Sequence, residues 1–218
     1  MIQNPKEIAR PDAKSLREIK ELRDKIGDML QLLENFLYQD KSLLNYWLNK
    51  RSMRIQFPRG YIRRVIEFEQ RMHFIRDGKL RKNIAYTFQF TDLIRWLINR
   101  FDIGLTLFDM LTKIGIITLA SIAEAMCYGF LQWYTQEIKP KINMPKKFSG
   151  MINLLAKSEK IIDLKLLDDL EWLRDKRNNI HLWRADREYQ AYDISDYNRA
   201  VQTVQKLEAV LCGYWEKY

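Results

Sequence analysis

The sequence predicts an all-α fold, an up-and-down helical bundle preceded by an N-terminal helical extension. Along most of the chain the apolar residues recur at intervals of three and four, which is the spacing of one face of an α-helix. Eight glycines and five prolines in 218 residues are few, and this favours long helices over many turns. Strict alternation of apolar and polar residues, the pattern of a half-buried strand, is almost absent.

Two parts of the chain are distinguished by their patterns. The extension is predicted over residues 1–60 and is expected to pack on the main domain, residues 61–218. The segment 51–60, which contains Pro58 and Gly60, is predicted to connect them because proline and glycine interrupt helices.

The extension begins with a loose lead-in, after which a helical pattern runs from Lys14 to about Lys50. Either Asp12 or Ser15 can cap its first turn, since both side chains accept hydrogen bonds from helical N–H groups. The apolar stripe is interrupted near Asp40, where a break is expected.

The main domain is predicted to contain six helices. They cover about 61–77, 84–101, 116–138, 148–157, 163–182 and 193–218. Gly78 is expected to end the first, and residues 102–113 to form a short helix or a wide turn. Two prolines and four lysines make 139–147 the clearest loop, and 183–192 is also predicted to be a loop. The helix over 116–138 is the most apolar and should lie centrally in the core.

The most informative stretch is LEWLRDKRNNIHL, residues 170–182, at the end of the helix predicted from about Asp163. Its apolar residues recur on one face: Leu166, Leu170, Leu173 and Ile180. Four polar residues fall beside that face, within a sector of roughly 100°. These are Arg174, Arg177, Asn178 and His181. Polar groups at the edge of an apolar stripe need partners, and these four are therefore the candidate catalytic residues.

This motif resembles that of the HEPN superfamily, the higher eukaryotes and prokaryotes nucleotide-binding domains. The family motif is an arginine, four to six residues and a histidine, often with a polar residue directly after an arginine. Arg174 and His181 bracket six residues, whereas Arg177-Asn178 supplies the arginine–asparagine pair, so both arginines remain candidates. The flanking stretches FSGMINLLAKSEKIID and HLWRADREYQAYDISDYNRAVQTVQKLEAVL extend the resemblance over about residues 85–215.

The resemblance implies a metal-independent endoribonuclease of the toxin or phage-defence type, without a cofactor, acting as a homodimer through the motif helix. RNA carries its own nucleophile, the 2′-hydroxyl. His181 is expected to act as general acid or base, because imidazole titrates near neutrality. Arg174 or Arg177 is expected to hold the phosphate oxygens, and Asn178 to orient the phosphate or the imidazole. The expected product is a 2′,3′-cyclic phosphate, and an antitoxin or other protein is a possible partner.

A structural interpretation of the same residues stays open. Histidine, lysine and arginine are favourable near a helix C-terminus, where they interact with the helix dipole and the last carbonyls. Neighbouring acids, among them Asp168 and Asp175, can pair with them at helical spacing.

The positive charge is concentrated in one segment. The formal net charge is +9, and residues 50–82 contain eleven lysines or arginines against three acids, a difference of +8. Such a segment attracts phosphate polymers, although a solvated helical face is the alternative. The candidate nucleic-acid-binding residues are Arg51, Arg54, Arg59, Arg63, Arg64 and Arg71.

Other chemistry has little support in the sequence. Two histidines, His73 and His181, and two cysteines, Cys127 and Cys212, have no zinc spacing, so no metal site is predicted. The cysteines are expected to be reduced, and His73 to be an ordinary boundary residue. There is no glycine-rich phosphate loop.

A cytoplasmic protein without a membrane contact is expected. The opening residues do not have the pattern of a secretory leader. The apolar run 114–134 is interrupted by Glu124 and Gln132, which favours a buried core helix over a membrane span.

Two further functions compete with RNA cleavage. One is a non-catalytic module of the same fold that binds RNA, a nucleotide or a protein. The other is a regulator that binds duplex DNA through residues 51–82, but that segment has no convincing helix-turn-helix pattern.

Overall fold

The structure is a computed structural model that describes residues 12–49, 62–178 and 192–218. These residues form eight α-helices and no strand, which confirms the predicted all-α helical bundle. The chain divides into two compact units, Met1–Phe57 and Pro58–Tyr218.

The first unit contains α1, Ala13–Gln39, and α2, Lys41–Asn49, which contact each other. The Asp12 carboxylate caps α1 by accepting a hydrogen bond from the backbone N–H of Ser15 at 2.9 Å. Asp40 has an extended backbone and accepts a hydrogen bond from the N–H of Ser42 at 2.8 Å. The predicted break near Asp40 is therefore confirmed, because this residue ends one helix and caps the next.

The second unit contains the other six helices. These are α3, Val65–Arg71; α4, Gly78–Arg100; α5, Leu105–Trp133; α6, Phe148–Asn153; α7, Leu164–Asn178; and α8, Ile194–Trp215. A π-helical segment, Tyr134–Ile138, continues α5, and another, Leu154–Ser158, continues α6. The predicted loop over 139–147 is confirmed.

The helix α5 lies at the centre of this unit and contacts α4, α6, α7 and α8. It places fully buried apolar side chains in the core, among them Ile116, Ala120, Met126 and Phe130. By length and composition the stretch Thr106–Ile138 could cross a membrane, but 61% of its most apolar window is buried inside the protein. That degree of burial is typical of a core helix, as predicted.

Two glycines let neighbouring elements approach α5 closely. A Cβ atom at Gly115 would lie 2.6 Å from Cε2 of Tyr197 on α8, and one at Gly129 would lie 2.8 Å from Cγ2 of Ile75. Both distances are shorter than van der Waals contact, so the packing of α5 requires glycine at these positions.

The first helix of the main domain is shorter than predicted. Instead of running over 61–77, α3 ends at Arg71, and Gly78 begins α4 rather than ending a helix. Met72, Phe74 and Ile75 are all fully buried, which one face of a continuous helix does not allow. The Asp77 carboxylate caps α4 by accepting hydrogen bonds from the N–H groups of Lys79 at 2.8 Å and Leu80 at 3.1 Å.

Candidate active site

The motif helix is α7, and its apolar face is buried as the pattern predicted. Three of its residues are at most 4% exposed: Leu166, Leu170 and Leu173. At its start the Asp163 carboxylate accepts a hydrogen bond from the N–H of Leu166 at 2.7 Å. The described part of α7 ends at Asn178, so Ile180 and His181 lie outside the described residues.

The last turns of α7 are tied to two other helices by ion pairs. The Nη1 atom of Arg177 contacts Oε2 of Glu124, which lies on α5. The ammonium of Lys176 lies 2.7 Å from Oδ2 of Asp196, near the start of α8. Both pairs are partly shielded, with no side chain more than 32% exposed. The position of Arg177 is thereby fixed relative to the core.

Arg174 has a different partner. Its Nη2 atom lies 2.8 Å from Oδ1 of Asp175, the next residue along the chain. The Arg174 side chain is 26% exposed, whereas that of Asp175 is 60% exposed. This carboxylate is well solvated, so the pair is weak and an incoming anion can compete for the guanidinium.

Aromatic rings support the same part of α7. The guanidinium of Arg199 lies 4.3 Å from the ring centroid of Trp172 and is also paired with Asp169 at 2.9 Å. The ammonium of Lys176 lies 5.1 Å from the ring centroid of Tyr192, whose hydroxyl donates to the Lys176 carbonyl at 3.2 Å. These contacts join α7 to Arg199 on α8 and to Tyr192, which lies shortly before α8.

Three of the four predicted site residues are therefore located. Arg174 is three positions before Arg177 and four before Asn178, so the three are neighbours on the helix surface. Asn178 is exposed. Two guanidinium groups and an amide can donate hydrogen bonds to the oxygens of one phosphate. Because each arginine already faces a carboxylate, a phosphate would have to replace or share that partner.

The basic segment is described only in part. Arg51, Arg54 and Arg59 lie outside the described residues, whereas Arg63, Arg64 and Arg71 lie within them. Arg63 pairs with Asp92 at 2.7 Å, Arg64 with Glu67 at 3.2 Å and Arg71 with Glu208 at 2.5 Å. Each described arginine of this set therefore has a carboxylate partner, which reduces the positive field that it presents.

Two of these arginines share a surface groove. Their guanidinium carbons lie near the Phe68 ring centroid, that of Arg63 at 4.6 Å and that of Arg71 at 5.6 Å. Both arginines line an open groove of about 530 Å³ together with residues of α8 and the residue that follows it: Gln205, Glu208, Ala209, Cys212, Gly213 and Glu216. The groove combines both signs of charge and is not a uniformly basic surface.

The carboxylate partners that lie far away in the sequence were missed by sequence reasoning, whereas Asp175 was among the acids expected to pair with the motif residues. Glu208 lies 137 positions from Arg71, and nothing local predicts that contact. The sequence does indicate that Glu124 is paired, because a charged residue in the apolar run 114–134 needs a partner when it is partly buried. The sequence does not reveal that this partner is Arg177, 53 positions away.

Comparisons of the chain with protein-family models, with curated proteins and with solved structures gave no match. What this chain does is therefore inferred from its own residues.

Proposed function

We propose that this chain is an HEPN-like, metal-independent endoribonuclease of the toxin or phage-defence type, which acts in the cytoplasm. The observation that carries the proposal is the cluster at the end of α7. Arg174, Arg177 and Asn178 are neighbours on one side of the helix, and Arg177 is held against Glu124. A fixed donor fork beside a second arginine suits the non-bridging oxygens of a phosphodiester.

In the proposed reaction the 2′-oxygen of RNA attacks the adjacent phosphorus and the bond to the 5′-oxygen breaks. A base removes the proton of the 2′-hydroxyl, and an acid supplies a proton to the departing 5′-oxygen. His181 is proposed for proton transfer, and Arg174 and Arg177 for the charge on the phosphorane. The products are a 2′,3′-cyclic phosphate and a free 5′-hydroxyl.

A homodimer through the motif helix belongs to the proposal. A two-fold axis beside α7 would bring two copies of His181 to one cleft, so that one can act as base and the other as acid. An antitoxin or another protein that covers this helix is a further proposed partner.

The second candidate is a non-catalytic module that binds RNA, a nucleotide or a protein through the same helix. One observation favours it: Arg174 and Arg177 both face carboxylates, Asp175 and Glu124. Neutralised arginines hold a developing negative charge less strongly than free ones, although they still position a ligand.

The test is cleavage of a mixed RNA pool in the presence of EDTA. The wild type is compared with His181→Ala, Arg177→Ala and a control, Arg76→Ala, which removes an arginine that is also paired with a glutamate of another element but does not contact the motif helix. Circular dichroism and light scattering must first show an unchanged fold and oligomeric state. We expect His181→Ala to lower the rate by about 10²- to 10⁴-fold, Arg177→Ala to lower it as well, and the control to retain it.

Cleavage that survives His181→Ala would overturn the proposed site. If no protein cleaves RNA but Arg174→Ala and Arg177→Ala abolish binding to the pool, the non-catalytic module is supported instead. The 2′,3′-cyclic end is checked by its resistance to phosphatase until acid opens it.

A further inference from the structure

We propose that His73, Cys212 and Glu216 form a binding site for one divalent cation of the zinc class. These residues lie in the turn after α3 and at the end of α8, and none belongs to the motif helix. The site goes beyond the proposed RNA cleavage and does not depend on it.

The three potential ligand atoms converge on one point. The Sγ atom of Cys212 lies 3.6 Å from Nε2 of His73 and 3.4 Å from Oε1 of Glu216. The third side of the triangle, from Nε2 of His73 to Oε1 of Glu216, is 3.7 Å. A nitrogen, a sulfur and a carboxylate oxygen thus lie at nearly equal separations.

These separations match a tetrahedral zinc site. Zinc binds sulfur at about 2.3 Å and histidine nitrogen or carboxylate oxygen at about 2.0–2.2 Å. With angles near the tetrahedral value, two such ligand atoms lie about 3.3–3.6 Å apart. A cation can therefore be placed between the three atoms with side-chain shifts of a few tenths of an ångström, on the order of the bond-length tolerance.

The local structure holds the ligands in this arrangement. Cys212 lies in the last turn of α8, and Glu216 directly follows that helix with a helical backbone, so the two side chains, four positions apart, project from the same side. The His73 ring packs edge-on against Trp215, with ring centroids 5.1 Å apart. Its Nδ1 lies 3.2 Å from the carbonyl oxygen of Gln70. When Nδ1–H donates to that carbonyl, Nε2 keeps its lone pair and points at the cluster, as in many metal-bound histidines.

The cluster also forms hydrogen bonds in the absence of a cation. Burial raises the pKa of Cys212 to about 11, and Glu216 adds to the effect, so the thiol is protonated and donates to that carboxylate. A bound cation would take the place of this proton, because zinc binds the thiolate. Histidine and thiolate ligands favour zinc over magnesium or calcium, which prefer oxygen.

Three protein ligands leave one tetrahedral position open. Glu216 is 60% exposed and His73 is 39% exposed, so solvent reaches the cluster. Cys212 and Glu216 also line the groove that contains Arg63 and Arg71. The fourth ligand is therefore proposed to be water or an oxygen of an anionic molecule that enters this groove.

The test uses Co²⁺ and Zn²⁺ alone, with the full chain freed of metal by a chelator. Co²⁺ bound to a thiolate gives a charge-transfer band in the near ultraviolet, and a tetrahedral site gives strong visible bands. We expect one equivalent of Co²⁺ per chain, displaced by Zn²⁺. Cys212→Ser should abolish the charge-transfer band, and His73→Gln and Glu216→Gln should each weaken binding by about tenfold or more.

Two variants serve as controls. Cys127→Ala removes the other thiol, which is fully buried in the core, and Glu208→Gln removes another carboxylate that lines the same groove as Glu216. Both should retain the band. Zn²⁺ should also raise the melting temperature of the wild type but not that of Cys212→Ser. A wild type without the band, a band that persists in Cys212→Ser, or binding weaker than about 1 mM would overturn the site.

The proposed RNA cleavage and the proposed metal site can each be refuted without affecting the other. Because RNA cleavage is assayed in EDTA, loss of the metal site leaves that result unchanged. Metal binding is in turn measured without RNA.

Discussion

The guanidinium of Arg63 holds both carboxylate oxygens of Asp92. Its Nε lies 2.8 Å from Oδ2 and its Nη2 lies 2.7 Å from Oδ1. The Asp92 side chain is 3% exposed, whereas that of Arg63 is 42% exposed. The arginine thus neutralises a buried acid on α4 and links the start of the second unit to that helix.

Removal of Arg63 should destabilise the second unit. Arg63→Ala leaves the Asp92 carboxylate buried with its remaining charged neighbour, Arg95, at 3.4 Å. We expect a loss of about 2–3 kcal/mol in the free energy of unfolding, measured by urea titration. The matched control is Arg64→Ala, which removes an 81% exposed arginine and should cost at most about 1 kcal/mol. Equal losses of unfolding free energy in the two variants would contradict the role of Arg63 as the counter-charge of a buried acid.

The same pair should make stability sensitive to acid. Burial raises the pKa of Asp92, but the hydrogen bonds and charge of Arg63 outweigh it, so the pKa lies below its ordinary value of 3.8. A carboxyl with a lowered folded-state pKa stabilises the fold above the unfolded value and loses this contribution as the pH falls. The stability difference between the wild type and Asp92→Asn should therefore shrink below about pH 3.8. A difference that stays constant with pH would refute this.

Alkaline conditions should act through Tyr197. Burial raises the pKa of its hydroxyl from 10.0 to about 12. A raised folded-state pKa stabilises the fold below pH 10, and that contribution is lost as the pH rises towards 12. At pH 11 the loss is on the order of 1 kcal/mol, and Tyr197→Phe should lack it. Urea titrations of the wild type and of Tyr197→Phe at pH 8 and pH 11 measure this loss, because the contribution of the other tyrosines is common to both proteins.

A methyl group at Gly115 should disturb the contact of α5 with α8. The added Cβ would meet the buried Tyr197 ring, so we expect Gly115→Ala to cost about 1–3 kcal/mol in spite of the better helix propensity of alanine. Gly213→Ala is the control, because a Cβ there meets nothing within 4 Å. That variant should be neutral or more stable by up to about 1 kcal/mol. Thermal unfolding followed by circular dichroism compares the two.

Neutralisation of Glu124 should alter the binding of RNA at the motif helix. In Glu124→Gln the guanidinium of Arg177 keeps a neutral acceptor but loses its counter-charge. We expect tighter RNA binding at low salt and a steeper decline of affinity with salt, by about one phosphate contact. The control is Glu137→Gln, which removes the acidic partner of Arg76. If the RNA affinity of Glu124→Gln depends on salt as that of the wild type does, Arg177 does not contribute to RNA binding.

The sequence predicted the helical regions well where their pattern is periodic. The motif helix and the final helix follow from the spacing of their apolar residues. The central helix was predicted too short: it begins at Leu105 instead of near residue 116, so most of the segment 102–113, predicted as a short helix or a wide turn, belongs to it. The error at Asp77-Gly78 has a physical reason. A glycine can end a helix, but an aspartate before it can cap the next one, and only tertiary packing decides between them.

The candidate site was less predictable than the fold. Periodicity placed Arg174, Arg177 and Asn178 on one side of a helix, since this depends only on local geometry. The acid that faces Arg177 comes from another helix, and the His73–Cys212 contact joins residues 139 positions apart. Such contacts depend on how helices pack, which a single sequence does not specify.

The central position of α5 has a consequence for folding in the cell. The stretch that four other helices cover in the folded chain is apolar enough to resemble a membrane segment once it is uncovered. Any intermediate that forms before those helices dock therefore exposes a long apolar surface, and aggregation of such intermediates competes with refolding. Heating should consequently inactivate the protein irreversibly, and its yield from denaturant should fall as the chain concentration rises.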